Sequence, residues 1–302
     1  MSWPAYLELH ETGELRHRAQ AAERLLERCR VCPRECLAQR LRGETGVCGV
    51  AEQAKVSSYG PHFGEERPLV GSGGSGTIFL AHCNLCCVFC QNSAISQEGE
   101  GQVFSTQKLA EMMLDLQRMG CHNINFVTPT HQVPQILRAL AGAVEGGLQV
   151  PLVYNCGGYE SLETLRLLDG VFDIYMPDFK YADAEIARQY SKVENYPEIA
   201  RAAFREMHRQ VGDLTMDPRG IARRGLLVRH LVLPSDLAGT AAVVRFLVDL
   251  SKDTYVNIMA QYRPCYRAHE HPPLARRPTR AEFEAALQLA RAAGLRRLDG
   301  YC

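Results

Sequence analysis

The chain has 302 residues, of which 46% are apolar and 23% charged; that supplies a core for one large domain with a small appendage and excludes global disorder. Its 34 Lys and Arg balance 34 Asp and Glu, which excludes a strongly basic nucleic-acid binder of the simple electrostatic kind, though not a local basic groove. No run approaches the roughly 18 to 20 apolar residues of a membrane span, and MSWPAYLELHETGELRHR lacks the charged-then-apolar order of a secretory leader, so a cytoplasmic location without membrane or nucleic-acid partners is expected.

Residues 17–28 carry the pattern of a short amphipathic helix. Cys29, Cys32, Cys36 and Cys48 follow among Gly43, Gly46 and Gly49, and the Gly-, Pro- and Ser-rich stretch 54–75 suits an extended crossing into the main domain. The chain therefore divides into a cysteine-rich metal-binding module over 1–70 and a core over 71–302. In the core, GTIFLA (76–81) is a short apolar strand, followed by a cysteine-rich loop and a helix from near Ser105 with Leu109, Met112, Met113 and Leu116 on one side. Strand INFVT (124–128) precedes a helix over about 133–143, and LQVPLVYN (148–155) one from about Leu162. VFDIYM (171–176) leads to a helix across 201–211, LLVRHLVL (226–233) to one over 237–250, and TYVNIMAQY (254–262) to one over 281–293. The Arg-rich stretch 276–297 reads as a solvated helix face. Six apolar strands separated by helices predict a parallel sheet covered by helices, hence an α/β fold; periodicity leaves open whether the sheet is flat or curled into a barrel.

Of twelve cysteines, eight lie between positions 29 and 90. Disulfide staples are usually spread along a chain, whereas thiols at short spacing in an intracellular protein point to metal. After the first strand comes HCNLCCVFCQN (82–92), in which Cys83, Cys87 and Cys90 give C-x3-C-x2-C. Three thiolates hold three corners of a cubane iron–sulfur cluster and leave the fourth iron open to a ligand. The alternative is a zinc knuckle, which wants a fourth ligand that Cys86 could supply; beside Cys87, Cys86 is otherwise the odd one out. Loops at the C-terminal ends of parallel strands are also where such sheets place their chemistry.

C-x3-C-x-aromatic-C at the end of a first strand, with Phe89 as the aromatic, resembles the signature of the radical S-adenosylmethionine (SAM) superfamily. The resemblance implies a partial (β/α)6 barrel and a [4Fe-4S] cluster on Cys83, Cys87 and Cys90 with SAM on the open iron. It further implies reductive SAM cleavage to a 5'-deoxyadenosyl radical that abstracts hydrogen, with flavodoxin or ferredoxin as electron donor. Cofactor contacts are expected at strand ends: Thr128 and Thr130 beside His131, Asn155 before Gly157-Gly158, Asp178 with Lys180, and Arg229 toward a cofactor carboxylate. The family's glycine-rich segment after the second strand is absent here, so backbone is expected to carry more of the contact there. Bland alternatives stand beside each: Asp178 as a helix cap, Asn155 in a turn, Arg229 paired with an acidic neighbour, His131 at a helix start. Asn257 and Gln261 share a strand face that could line the lumen, and His269 and His271 lie in a proline-rich loop that is a lid or a solvated turn.

Cys29, Cys32, Cys36 and Cys48 give C-x2-C-x3-C-x11-C, a tetrathiolate pattern that suits structural zinc or a second iron–sulfur cluster; spacing does not separate the two. Together with NINFVTPTH, VYNCGGYE and RHLVLP, CRVCPREC resembles a poorly characterised subgroup similar to the activating enzyme of pyruvate formate-lyase. That implies hydrogen abstraction from a glycine or other residue of a partner protein. Alternatives are radical modification of a peptide or small metabolite, and a non-catalytic iron–sulfur or zinc scaffold. Activating enzymes usually lack the N-terminal cysteines, which sets this chain apart.

Overall fold

The structure, a computed structural model, describes residues 3–299. Helices α1 (Tyr6–Glu11) and α2 (Glu14–Arg24) open the chain. The helix expected at 17–28 is α2, which starts earlier and stops at Arg24, burying Leu15, Ala19 and Ala22. The cysteine segment follows, then β1 (Ala54–His62), α3 (Arg67–Val70) and β2 (Ser75–Leu80). Next come α4 (Ser93–Ser96), β3 (Gln102–Phe104), α5 (Thr106–Arg118), β4 (Ile124–Val127), α6 (Val133–Glu145) and β5 (Leu152–Cys156). The chain continues through α7 (Leu162–Leu167), β6 (Ile174–Pro177), α8 (Ala184–Ser191), α9 (Tyr196–Val211), β7 (Thr215–Met216) and β8 (Ala222–Leu231). It closes with α10 (Thr240–Leu250), β9 (Tyr255–Met259), α11 (Arg280–Ala292) and β10 (Arg297–Asp299). Local chemistry sets several starts: Ser105 caps α5 by accepting from Lys108 N–H, and Thr279 with Glu282 forms a reciprocal capping box on α11.

The sheet order is β10-β9-β8-β6-β5-β4-β2-β1-β3, with β7 paired to β8 off the path. All pairings from β2 through β10 along this path are parallel; β1 is antiparallel to β2 and β3. The sheet curls, because its two flanks meet. Gln91, just after β2, donates to Gln261 O beyond β9, and Asn257 of β9 donates to Glu66, which precedes β2. The result is an α/β partial barrel, closed by contacts rather than by strand pairing between β10 and β2.

Alternation along the strands sorts residues into two environments. Leu226 and Val228 of β8 join Tyr154, Tyr175 and the helices in the outer core, whereas Leu227 joins Val153, Ile174 and Met176 in a separate inner cluster with Leu69 of α3. Leu69 thus carries α3 into the lumen as a plug. Residues 54–75 pack on the core rather than crossing free of it: β1 joins the sheet and α3 sets Leu69 in the inner cluster. The six expected parallel strands are joined by β10 as a seventh, and the hairpin strand β7 was not anticipated.

Candidate functional site

One cavity of about 240 Å³ opens at the C-terminal ends of the parallel strands. Its wall includes Cys83, Cys87 and Cys90 from the loop after β2, Thr128 after β4, Asn155 of β5, Asp178 and Lys180 after β6, and Arg229 of β8. Residues more than 140 positions apart in sequence are brought to one place because each follows or ends a neighbouring strand.

The cysteine loop is set by unusual backbone. His82 takes a left-handed φ of 68°, and Gly49 and Gly99 press on its ring so closely that a Cβ at either would lie within 3 Å of it. Past that turn, Leu85 N–H donates to Cys83 Sγ at 3.3 Å, the Ser191 hydroxyl lies 2.9 Å from Cys87 Sγ, and the Ser96 hydroxyl 3.0 Å from Cys90 Sγ. Burial pushes the Cys83 thiol well up and the Cys87 thiol up to about 11, with Lys180 pulling both back. Cys86 is outside the cavity wall; Arg34 covers it, donating to Asn84 O, Lys192 O and Ser191 O while its Nη2 lies 3.9 Å from Cys86 Sγ.

Below the thiols sits a charge network. Asp178 accepts from Arg229 Nε at 2.8 Å and from Lys180 Nζ at 2.7 Å, and Arg229 Nη2 donates to Asn155 at 2.6 Å. Burial alone would raise the Asp178 carboxyl, but Arg229 and Lys180 hold it below the ordinary carboxylate range. Arg229 therefore already has acidic partners, with Glu65 and Glu66 3.7 and 3.9 Å away. No local pattern singles out Glu65 and Glu66, which sit in a stretch of loop composition, or the hydroxyls of Ser96 and Ser191.

Thr130 does not reach this cavity. Thr128 turns the chain with φ 60°, and Thr130 faces the outer core, its hydroxyl donating to Glu160 at 2.7 Å. His131 is likewise buried outside the lumen, Nε2 bonded to Ala81 O, and burial drives it down to about 3, so it is neutral. Gln261 lines the cavity, Asn257 a neighbouring one, and His271 packs edge-on against Tyr190.

Cys29, Cys32, Cys36 and Cys48 line a second, small enclosed cavity together with Arg40, His131 and Asn84, the residue after Cys83. Arg40 is fully buried, donates to Ala51 O and His131 O, and lies 3.7 Å from Cys29 Sγ. Gly46 packs on Cys36 so tightly that a Cβ there would lie 2.2 Å from the sulfur.

Among the described residues, no three His, Cys, Asp or Glu side chains are gathered closely enough to hold a metal ion as they stand. A cubane asks for something different, since each thiolate binds its own iron and the three stand farther apart than around one ion. Three thiols on one wall, each with a hydrogen-bond donor and with Lys180 nearby, fit that demand in donor chemistry.

The radical SAM superfamily profile matches residues 77–218, which span β2 to the start of the β7–β8 hairpin. A curated relative, the uncharacterised protein MJ0674 of Methanocaldococcus jannaschii, is 33% identical over 282 residues, 90% of this chain and 77% of its own length. A solved structure of TYW1 with a lysine-pyruvate adduct bound aligns over 60% of this chain at 10% identity and TM-score 0.38; the chain spans 63% of it, under two thirds. No helix among the described residues is long and apolar enough to cross a membrane. Residues 77–218 are a domain of the radical SAM superfamily, whose members use a [4Fe-4S] cluster and SAM.

Proposed function

We propose that Cys83, Cys87 and Cys90 hold the catalytic cluster and that the cavity they share with Thr128, Asn155, Asp178, Lys180 and Arg229 receives SAM and substrate. The convergence of these residues on one cavity is the observation that carries this reading. When bound, the cluster and SAM supply a 5'-deoxyadenosyl radical on reduction by flavodoxin or ferredoxin. The chain's own groups do the rest. Leu85 N–H, Ser96 and Ser191 donate to the thiolate sulfurs, which spreads their charge and tunes the potential. Lys180 adds a positive charge beside Cys87. Asp178 fixes Lys180 and Arg229 in place, and Asn155 orients the guanidinium edge. Phe89, Leu85, Leu231 and Met259 supply the apolar part of the wall, which limits water there.

The favoured reaction is hydrogen abstraction from a glycine or other residue of a partner protein, with a peptide or small metabolite as the alternative. The N-terminal cysteines serve as an auxiliary zinc or iron–sulfur centre in this reading. Arg40 supports it: a buried guanidinium with no carboxylate within ion-pair distance among the described residues is best compensated by anionic thiolates. Anaerobic reconstitution with iron and sulfide, reduction, and chromatography for 5'-deoxyadenosine after SAM addition tests the proposal. Product is expected; none from a fully loaded, reduced protein, with or without cell extract as a substrate source, overturns it.

A further inference from the structure

Part of the lumen is left unused by this chemistry. Glu65 and Glu66 lie between β1 and α3, on the segment that crosses the open seam of the barrel. They line a cavity of about 310 Å³ with Asn257, Gln261, Phe283 and Asp299. Met259 and Gln261 line both this cavity and the one beside the cysteines, so the two adjoin along the end of β9.

The charges here do not balance. Glu65, Glu66 and Asp178 face two part-buried cations: Lys180 and Arg229 both hydrogen-bond Asp178, and Arg229 stands at ion-pair distance from each glutamate. At 3.7 and 3.9 Å, Arg229 is too far to hydrogen-bond either glutamate. Glu66 is only 8% exposed; its Oε1 takes a 3.3 Å bond from Asn257, and its Oε2 has no partner. Asp299 adds a third carboxylate to the wall, with its Oδ2 accepting from Tyr255; the cation lining the cavity, Arg67, is exposed to solvent. A buried carboxylate oxygen without a donor is costly, and burial, with Glu66 beside it, already raises the Glu65 carboxyl to about 7. An anionic ligand would worsen both conditions, and a neutral apolar one would relieve neither. A ligand with N–H donors and a positive charge relieves both.

We infer that the seam cavity binds a cationic group of the substrate, an ammonium or guanidinium, with Glu66 and Glu65 as its acceptors. This rests on the radical reading above: a cation held at Glu66 directs the remainder of the substrate past Met259 and Gln261 toward the cysteines. SAM is itself cationic, so the test must separate the two sources.

The test uses the reconstituted 302-residue chain without SAM and follows n-butylamine and n-butanol by saturation-transfer NMR, in wild type, Glu66→Gln and Glu65→Gln. SAM affinity is measured separately by equilibrium dialysis. The amine is expected to bind wild type and the alcohol not, with amine affinity at least about tenfold weaker in Glu66→Gln and reduced in Glu65→Gln, and SAM affinity unchanged. Equal binding of amine and alcohol, or amine binding insensitive to both substitutions, overturns the inference. So does a loss of SAM affinity with amine binding intact, which would assign the carboxylates to the cofactor. Melting curves check folding, and Glu65→Gln decides alone if Glu66→Gln does not fold. The readout needs no SAM cleavage: absence of 5'-deoxyadenosine defeats the radical reading, and absence of amine binding defeats this one.

Discussion

Replacing Asp178 by Asn removes the anion shared by two part-buried cations. Breaking a buried pair by deleting one partner costs about 3–5 kcal/mol, because a charge is left without compensation. The structure places this case at the lower end. Arg229 keeps its bond to Asn155 and has Glu65 and Glu66 within 4 Å, so it is not stranded. Lys180 is stranded, since Asp178 is the one acceptor its ammonium bonds among the described residues, although about a fifth of both side chains remains exposed and water screens part of the loss. We expect Asp178→Asn to cost about 3 kcal/mol, and Lys180→Met in the same chain to restore much of it, a coupling of about 2 kcal/mol. Urea unfolding of anaerobically prepared single and double variants measures this. The wild-type carboxyl is held below its ordinary value, so its contribution is present above the unfolded-state pKa of about 3.9 and lost as pH falls through the folded value. Asp178→Asn should remove that part of the acid limb. A coupling under about 0.5 kcal/mol would refute the reasoning, since it would mean that Asp178 and Lys180 act independently.

Burial pushes Glu160 up to about 7, against hydrogen bonds from Thr130 and Tyr154 that lower it. The folded chain then binds a proton that the unfolded chain has lost, so stability falls as pH rises from about 4.5 to about 7, by roughly 3 kcal/mol. Glu160→Gln should flatten that slope and be the more stable protein above pH 7; parallel pH profiles would contradict it. Arg34→Ala removes donors to three backbone carbonyls around the cysteine loop, and should cost about 1–3 kcal/mol locally, seen as faster hydrogen exchange over residues 84–90. Unchanged exchange would show that the N-terminal segment does not brace that loop. Gly46→Ala puts a Cβ against Cys36 Sγ and should lower the metal content at the N-terminal cysteines while sparing iron at Cys83, Cys87 and Cys90; full occupancy would contradict the shared role of that cavity.

The sequence made the parallel strands legible because buried strands in a helix-covered sheet read as continuous apolar runs, as in INFV and LVYNC. The cysteine spacing was legible as ligand chemistry and the strand-end residues Asn155, Asp178, Lys180 and Arg229 through the family resemblance, and they share one cavity. What stayed hidden depends on tertiary pairing. β1, AKVSSYGPH, carries Gly, Pro and two Ser, and forms because β2 and β3 offer it a ladder. Glu65 and Glu66 enter the lumen only because α3 plugs it, which no local pattern announces. Thr130 shares the parity of Ile124 and Phe126 and so faces the outer core with them, whereas the left-handed turn at Thr128 brings that residue to the cavity wall beside Val127.

The most direct test of the central claim compares Cys83→Ala, Cys87→Ala, Cys90→Ala and Cys86→Ala, each reconstituted anaerobically, reduced, and assayed for 5'-deoxyadenosine from SAM. The first three should lose SAM cleavage, and Cys86→Ala, whose thiol lies under Arg34 and off the cavity wall, should keep most of it. Equal loss in all four variants would contradict the assignment of the cluster to Cys83, Cys87 and Cys90.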